Sequence, residues 1–143
     1  MNKPNIRKNR MIFLTFFILP FFILYTISTL FLSHLYLFEW TARNFYLYLW
    51  LIVIILTCYK MYYISASLVI GNIIGVFIGQ FLGDYLLYLN IQKITQDMPN
   101  EKIARLRIHH GFTIWIITIL ICFIIGVIMT KQAKIYTFKK MKD

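Results

Sequence analysis

Three polar side chains with the potential for chemistry lie inside a long apolar stretch, residues 65–90. If this stretch is a helix, Asn72, Gln80 and Asp84 fall within an arc of about 120°. Polar groups in hydrocarbon are costly, about 2.5–3.5 kcal/mol for a central Asp, so they face protein or water and mark a site by default. We therefore predict an intramembrane polar site here. The alternative is structural, with interhelical hydrogen bonds for the two amides and an interfacial ion pair for Asp84, whose candidate partners are Arg43, Arg105 and Arg107.

A second group of titratable residues flanks the first and last apolar runs. His34 and Glu39 follow the first run, and His109 and His110 precede the last. Together with Asp84 they have the composition of a site that binds a metal or relays protons at the outer face. However, two adjacent histidines point about 100° apart on a helix, which is not the spacing of a metal-binding pair. We predict an outer-face site without a metal or cofactor, and the alternative is that these residues simply suit the interface.

Glycines at strict four-residue spacing form the sharpest pattern in the chain. They lie along one stripe of the same predicted helix: Gly71, Gly75, Gly79 and Gly83. Small residues at the same spacing follow in the last apolar run: Thr118, Cys122, Gly126 and Thr130. Stripes without bulky side chains let two helix backbones approach closely, so we predict that these two helices pack against each other. The alternative is a glycine zipper between chains, which would build a homo-oligomer or a pore.

Motifs of common enzymes and metal sites are missing from the chain. The sequence has no glycine-rich phosphate loop, no Gly-x-Ser-x-Gly, no His-Glu-x-x-His and no Cys-x-x-Cys. Its two cysteines, Cys58 and Cys122, both lie in apolar runs and form neither a disulfide framework nor a spaced zinc motif. We predict that the protein is not an enzyme.

The composition is that of an integral membrane protein. Hydrophobic residues make up 60% of the 143 residues and charged residues only 14%, against about 45–50% and about 25% in soluble proteins. Residues 11–33 and 112–130 contain no Asp, Glu, Lys, Arg or His. Runs of about 18 or more apolar residues match the hydrocarbon core of a bilayer, about 30 Å thick. The net charge of +10 would favour nucleic-acid binding in a soluble domain, but here the basic residues flank the apolar runs, and we predict no nucleic-acid partner.

We predict one all-α membrane domain over residues 1–143, a bundle of four transmembrane helices. The predicted spans are residues 11–33, 45–63, 65–90 and 112–130. The second is bordered by aromatic residues at both ends, as at the two membrane interfaces. A short interfacial helix, residues 98–110, precedes the last span, and its alternatives are a lid over the Asp84 region or a docking surface for a partner. A basic tail, residues 131–143, suits an anionic inner leaflet.

Basic residues in the flanks predict that both termini are cytoplasmic. With the N-terminus inside, ten basic residues lie on the cytoplasmic side and five on the outer side, among them Arg43, Lys93 and Lys102. The basic segment 91–111 then lies outside. If the second and third spans were instead a re-entrant pair, that segment would be cytoplasmic and the tail outside.

The absence of a complete site and the isoleucine-rich, alanine-poor composition point to a small multi-pass protein of a bacterial cell membrane. We expect it to act through protein or lipid contacts, as an accessory, immunity-type or regulatory subunit, with a membrane-protein partner or as a homo-oligomer. The alternative is a small transporter or channel subunit that uses the glycine-rich third span and its polar stripe.

Overall fold

The computed structural model describes residues 3–140, with the side chains of residues 11–136, and in this part of the chain helices joined by turns and short loops are the regular structure, with no strand. The helices are α1 (Lys3–Leu30), α2 (Tyr36–Arg43), α3 (Leu49–Cys58), α4 (Tyr62–Ile91), α5 (Asn100–Leu106) and α6 (Gly111–Lys140), with a 3₁₀ turn (Phe45–Tyr48) between α2 and α3. The all-α prediction is therefore confirmed.

Three helices are long and apolar enough to cross a membrane. They are Met11–Leu30 within α1, all of α4, and Gly111–Tyr136 within α6. The segments Tyr36–Arg43 and Phe45–Cys58 meet the same criterion only as a pair, and they are bent by 56° relative to each other. The described residues therefore contain three candidate membrane-spanning helices, or four if the bent pair is one span.

Helix α4 is the centre of the molecule. In the most apolar 18-residue segment of α4, 56% of the residues are buried, whereas the corresponding shares are 22% in α1 and 17% in α6. Helix α6 packs along one side of α4, and α1, α2 and α3 pack on the others. A helix with neighbours on several sides needs small residues where a backbone comes close, and the glycines of α4 are those residues.

The glycine stripe of α4 faces α6 of the same chain. A Cβ atom added at Gly71 would lie 2.7 Å from Cβ of Cys122, one at Gly75 would lie 3.2 Å from the carbonyl oxygen of Trp115, and one at Gly79 would lie 2.7 Å from the carbonyl oxygen of Gly111. These separations leave no room for a side chain. The two helices therefore touch nearly backbone to backbone.

The small residues of α6 take part in the same contact. Cβ of Thr118 would lie 3.4 Å from an added Cβ at Gly75. Gly126 faces the other end of α4, where an added Cβ would lie 2.8 Å from Oγ of Ser67 and 2.9 Å from Cα of Ile64.

The segment predicted as the second span begins with a left-handed turn. All four residues of Phe45–Tyr48 have φ between 48° and 57°, a conformation that costs non-glycine residues about 1–2 kcal/mol each. Tertiary packing holds the turn, since Tyr46 is buried, its ring meets Phe21 edge to face, and its hydroxyl lies 3.2 Å from Oγ of Ser28. The α-helix predicted from residue 45 therefore begins at Leu49, and the chain before it folds into the separate helix α2.

Other helix ends also differ from the predicted ones. Helix α1 ends at Leu30, short of residue 33. The predicted interfacial helix is only seven residues long in the structure, Asn100–Leu106, and none of its residues is buried. Helix α6 continues to Lys140, so most of the predicted tail extends this helix, while residues 141–143 lie outside the described part of the chain.

Candidate functional site

A chain of hydrogen bonds joins α4 to the first turn of α2. The first N–H groups of a helix have no partner within it, and Leu35, which precedes α2, provides no side-chain cap. Gln80 of α4 fills this role, because its Oε1 accepts a hydrogen bond from the backbone N–H of Leu37 at 2.6 Å. The Gln80 side chain is only 1% exposed, so this cap is made within the protein interior.

Gln80 also orients the carboxylate of Asp84. Its Nε2 donates a hydrogen bond to Oδ2 of Asp84 at 2.7 Å, one helical turn further along α4. The other carboxylate oxygen, Oδ1, lies 3.0 Å from Nε2 of His109, in the loop before α6. Both oxygens of Asp84 are thus held from the protein side, while 48% of the side chain remains exposed.

The loop geometry assigns the tautomer of His109. Its Nδ1 accepts a hydrogen bond from the backbone N–H of Gly111 at 3.0 Å, so that nitrogen carries no proton in this arrangement. The proton of the neutral ring then resides on Nε2 and is donated to Asp84. The imidazole is 8% exposed and packs against the ring of Tyr36, with centroids 4.5 Å apart.

Two glycines make room for this imidazole. A Cβ atom added at Gly83 would collide with Cε1 of His109, and one added at Gly111 would lie 2.5 Å from the same atom. The last glycine of the α4 stripe therefore lets His109 reach Asp84.

Asn72 lies elsewhere, inside the contact between α4 and α6. Its Oδ1 accepts a hydrogen bond from Nε1 of Trp115 at 3.1 Å, and both side chains are at most 1% exposed. The three polar residues predicted on one face of α4 therefore form two separate groups. Asn72 is a buried amide that joins α4 to α6, and Gln80 pairs with Asp84 further along the helix.

Asp84 borders an open cleft of about 560 Å³. The α1–α2 connection and the start of α2 contribute His34 and Tyr36, and the loop before α6 contributes Arg107 and His109. Leu35, Leu87 and Ile108 form its apolar walls. One carboxylate, one guanidinium and two imidazoles therefore border the same space, which suits a small ligand that carries both signs of charge.

Only part of the predicted outer-face group lies at this cleft. Glu39 is on another side of α2, where one of its carboxylate oxygens is 3.4 Å from the guanidinium of Arg43, and it borders a different pocket. His110 is exposed and does not line the cleft. Among the described residues no group of three or more His, Cys, Asp or Glu is arranged to hold a metal ion.

The side-chain partner of Asp84 across the helices differs from the arginines named in the structural alternative. Arg43 pairs with Glu39 and Arg105 pairs with Glu101, each four residues apart on one helix. His109 takes their place at Asp84 because Gly83 lets it approach.

Sequence reasoning did not include Tyr36 in this site, and it considered Arg107 only as an ion-pair partner. Both stand two positions from a histidine that was named, Tyr36 after His34 and Arg107 before His109, and this proximity is the signal that could have found them. Comparison of the chain with protein-family models, curated proteins and solved structures finds no match.

Proposed function

We propose that the chain is a multi-pass protein of a bacterial cell membrane with four spans and with both termini in the cytoplasm. The three long apolar helices and the bent pair support the number of spans, and the excess of basic residues in the terminal flanks supports the orientation. The basic C-terminal end then lies against the anionic inner leaflet.

Single cysteines test this orientation in a background without the two native ones. At Asn5 or Lys142 a cysteine should resist a membrane-impermeant thiol reagent in intact cells, whereas one at Asn100 should react; Lys142 itself lies outside the described residues. Labelling at the termini would contradict the orientation, and protection at Asn100 would favour the re-entrant alternative.

Within the membrane, we propose that the protein acts through protein or lipid contacts, as an accessory, immunity-type or regulatory subunit. One observation carries this proposal: the small and polar residues that could line a passage through the membrane already contact other residues of the same chain. The glycine stripe faces α6, and the buried amides of Asn72 and Gln80 are hydrogen-bonded to Trp115 and to Leu37. Buried polar groups that have hydrogen-bond partners stabilise the bundle. Contacts with lipids or other proteins are then made by the outer surface of the bundle.

Helix α6 offers an extended surface of this kind. It packs mainly on α4, and its outward side carries large aliphatic residues at helical spacing. They are about half exposed: Ile117, Leu120, Ile121, Ile124 and Ile128. Such a stripe suits lipid chains or the apolar helix of a partner membrane protein.

Photo-crosslinking from α6 tests the protein-contact form of this proposal. A photoreactive residue at Ile121 or Ile124 should give a discrete adduct to another membrane protein in cells, and the same residue at the equally apolar, exposed Phe22 of α1 is the matched control. Equal adducts from both helices, or none from α6, would contradict a specific partner there. An adduct to a second copy of the chain would identify a homo-oligomer instead.

A small transporter or channel subunit is the second candidate, and the half-exposed Asp84 at its cleft favours it. A stable homo-oligomer in mild detergent whose thermal stability rises with a particular solute would support this candidate. Co-purification with a different membrane protein, without any solute effect, would favour the accessory function.

A further inference from the structure

The cleft beside Asp84 combines a fixed carboxylate with an open side. Gln80 and His109 hold the two carboxylate oxygens from within the protein. A carboxylate can accept further hydrogen bonds at each oxygen, and 48% of the Asp84 side chain is exposed. The remaining acceptor capacity is therefore available to a ligand that donates hydrogen bonds, and a primary ammonium group is the donor whose charge matches.

Arg107 supplies the opposite charge at the same cleft. It is exposed, and among the side chains of residues 11–136 it has no ion-pair partner, whereas Arg43 and Arg105 each have one. Guanidinium groups bind phosphate through paired hydrogen bonds. The cleft thus offers one group for an ammonium and one for a phosphate.

The position of Asp84 along α4 sets the height of the cleft relative to a bilayer. Helix α4 has 30 residues, which makes it about 45 Å long, and the hydrocarbon core is about 30 Å thick. A centred α4 therefore extends about five residues beyond the core at each end. Asp84, seven residues before the end of α4 at Ile91, then lies about two residues, roughly 3 Å, inside the edge of the hydrocarbon core and close to the headgroups.

We propose that this cleft binds the headgroup of phosphatidylethanolamine. The ammonium donates to Asp84, the phosphate accepts from Arg107, and the acyl chains leave along the apolar wall at Leu87 and Ile108. This inference rests on the proposed membrane location and gives the lipid contact a defined chemistry. It does not depend on which leaflet the cleft faces.

Lipid competition on the purified full-length chain tests the proposal. Phosphatidylethanolamine and phosphatidylcholine with identical acyl chains differ only in three N-methyl groups, which remove every N–H donor, and phosphatidylglycerol keeps the phosphate without the amine. Native mass spectrometry from mild detergent should show about tenfold tighter retention of phosphatidylethanolamine than of either other lipid, as one charge-assisted hydrogen bond provides. Equal retention of the three lipids would overturn the proposal.

Two variants separate the contacts. Arg107→Gln should weaken retention of all three lipids, because each carries the phosphate, and the matched control Arg105→Gln, on the exposed surface of α5, should change none. Asp84→Asn should abolish the preference for phosphatidylethanolamine over phosphatidylcholine while phosphate-dependent retention persists. Should Asp84→Asn fail to fold, the comparison of lipids on the wild-type chain and the Arg107 variant still decides the proposal. Unchanged retention in Arg107→Gln would overturn it.

A soluble competitor identifies the source of the headgroup chemistry. Free glycerophosphoethanolamine carries the same ammonium and phosphodiester groups without acyl chains, and it should displace the lipid only at concentrations far above those of the lipid itself. Equal affinity for the free compound would overturn the lipid assignment in favour of a soluble zwitterion. These measurements are independent of the crosslinking from α6. A negative result for the cleft does not contradict the proposed partner at α6, and a negative crosslinking result does not contradict lipid binding at the cleft.

Discussion

Replacing Gly79 by alanine measures how closely α4 and α6 approach. The added Cβ would lie 2.7 Å from the carbonyl oxygen of Gly111, about 0.7 Å short of the 3.4 Å at which ordinary contact begins, and 2.6 Å from Cδ2 of Leu37. The leucine side chain can rotate away. The carbonyl oxygen belongs to the first turn of α6 and moves only if the helices separate.

Two opposing effects set the size of the expected change. Overpacking costs about 1–3 kcal/mol, while replacing glycine by alanine inside a helix gains about 1 kcal/mol. We therefore expect Gly79→Ala to lower the free energy of unfolding by about 0–2 kcal/mol. Gly79→Leu and Gly75→Leu should lower it by about 3 kcal/mol or more, because a larger side chain meets the same backbone.

Unfolding in mixed micelles, titrated with a denaturing detergent and followed by tryptophan fluorescence, provides the measurement. The matched control is Ile78→Phe, an enlargement at an adjacent position that is 46% exposed, and its effect should stay within about 0.5 kcal/mol. A gain of about 1 kcal/mol in Gly79→Ala would show helix propensity acting alone. That result would refute the close approach of the two backbones.

Three further predictions address other contacts. Cysteines at positions 75 and 118, in a background without the native cysteines, should form a disulfide within one chain on oxidation, since a Cβ atom added at Gly75 would lie 3.4 Å from Cβ of Thr118; a covalent dimer on non-reducing gels would instead support a zipper between chains. Gln80→Leu should destabilise the fold by about 1–3 kcal/mol and speed amide exchange at Leu37, whereas unchanged exchange would contradict the cap of α2. Asp84→Asn should alter stability by only about 1 kcal/mol but fail to complement a deletion phenotype, and full complementation by both Asp84→Asn and Asp84→Ala at normal expression would exclude a functional role.

Local pattern is sufficient to predict the apolar helices and the face on which the glycines lie. Helical periodicity places Gly71, Gly75, Gly79 and Gly83 on one stripe from spacing alone. That α6 covers this stripe followed from its own small residues, such as Thr118. Each of the two stripes consists of residues close together in sequence, which is why periodicity captures them.

The bent pair of helices could not be predicted because distant residues cause it. The aromatic run at Tyr46 is typical of a membrane interface, yet its left-handed turn depends on packing against Phe21 and Ser28 of α1. Helix α2 likewise begins without a local cap, and Gln80, 43 positions away from Leu37, provides it. No local rule for helix starts includes such a partner.

The same long-range contacts distinguish the polar residues of α4 that have a structural role from Asp84. A buried amide without a partner would destabilise the bundle, and Asn72 and Gln80, both about 1% exposed, are used in contacts between helices. Asp84 differs because its partners approach from one side only, leaving half of the carboxylate exposed at a cleft that Arg107 also borders. Of the three polar residues that the sequence places together, Asp84 alone therefore keeps free hydrogen-bonding capacity on an exposed side, and Gly83 contributes by letting His109 fix the orientation of the carboxylate.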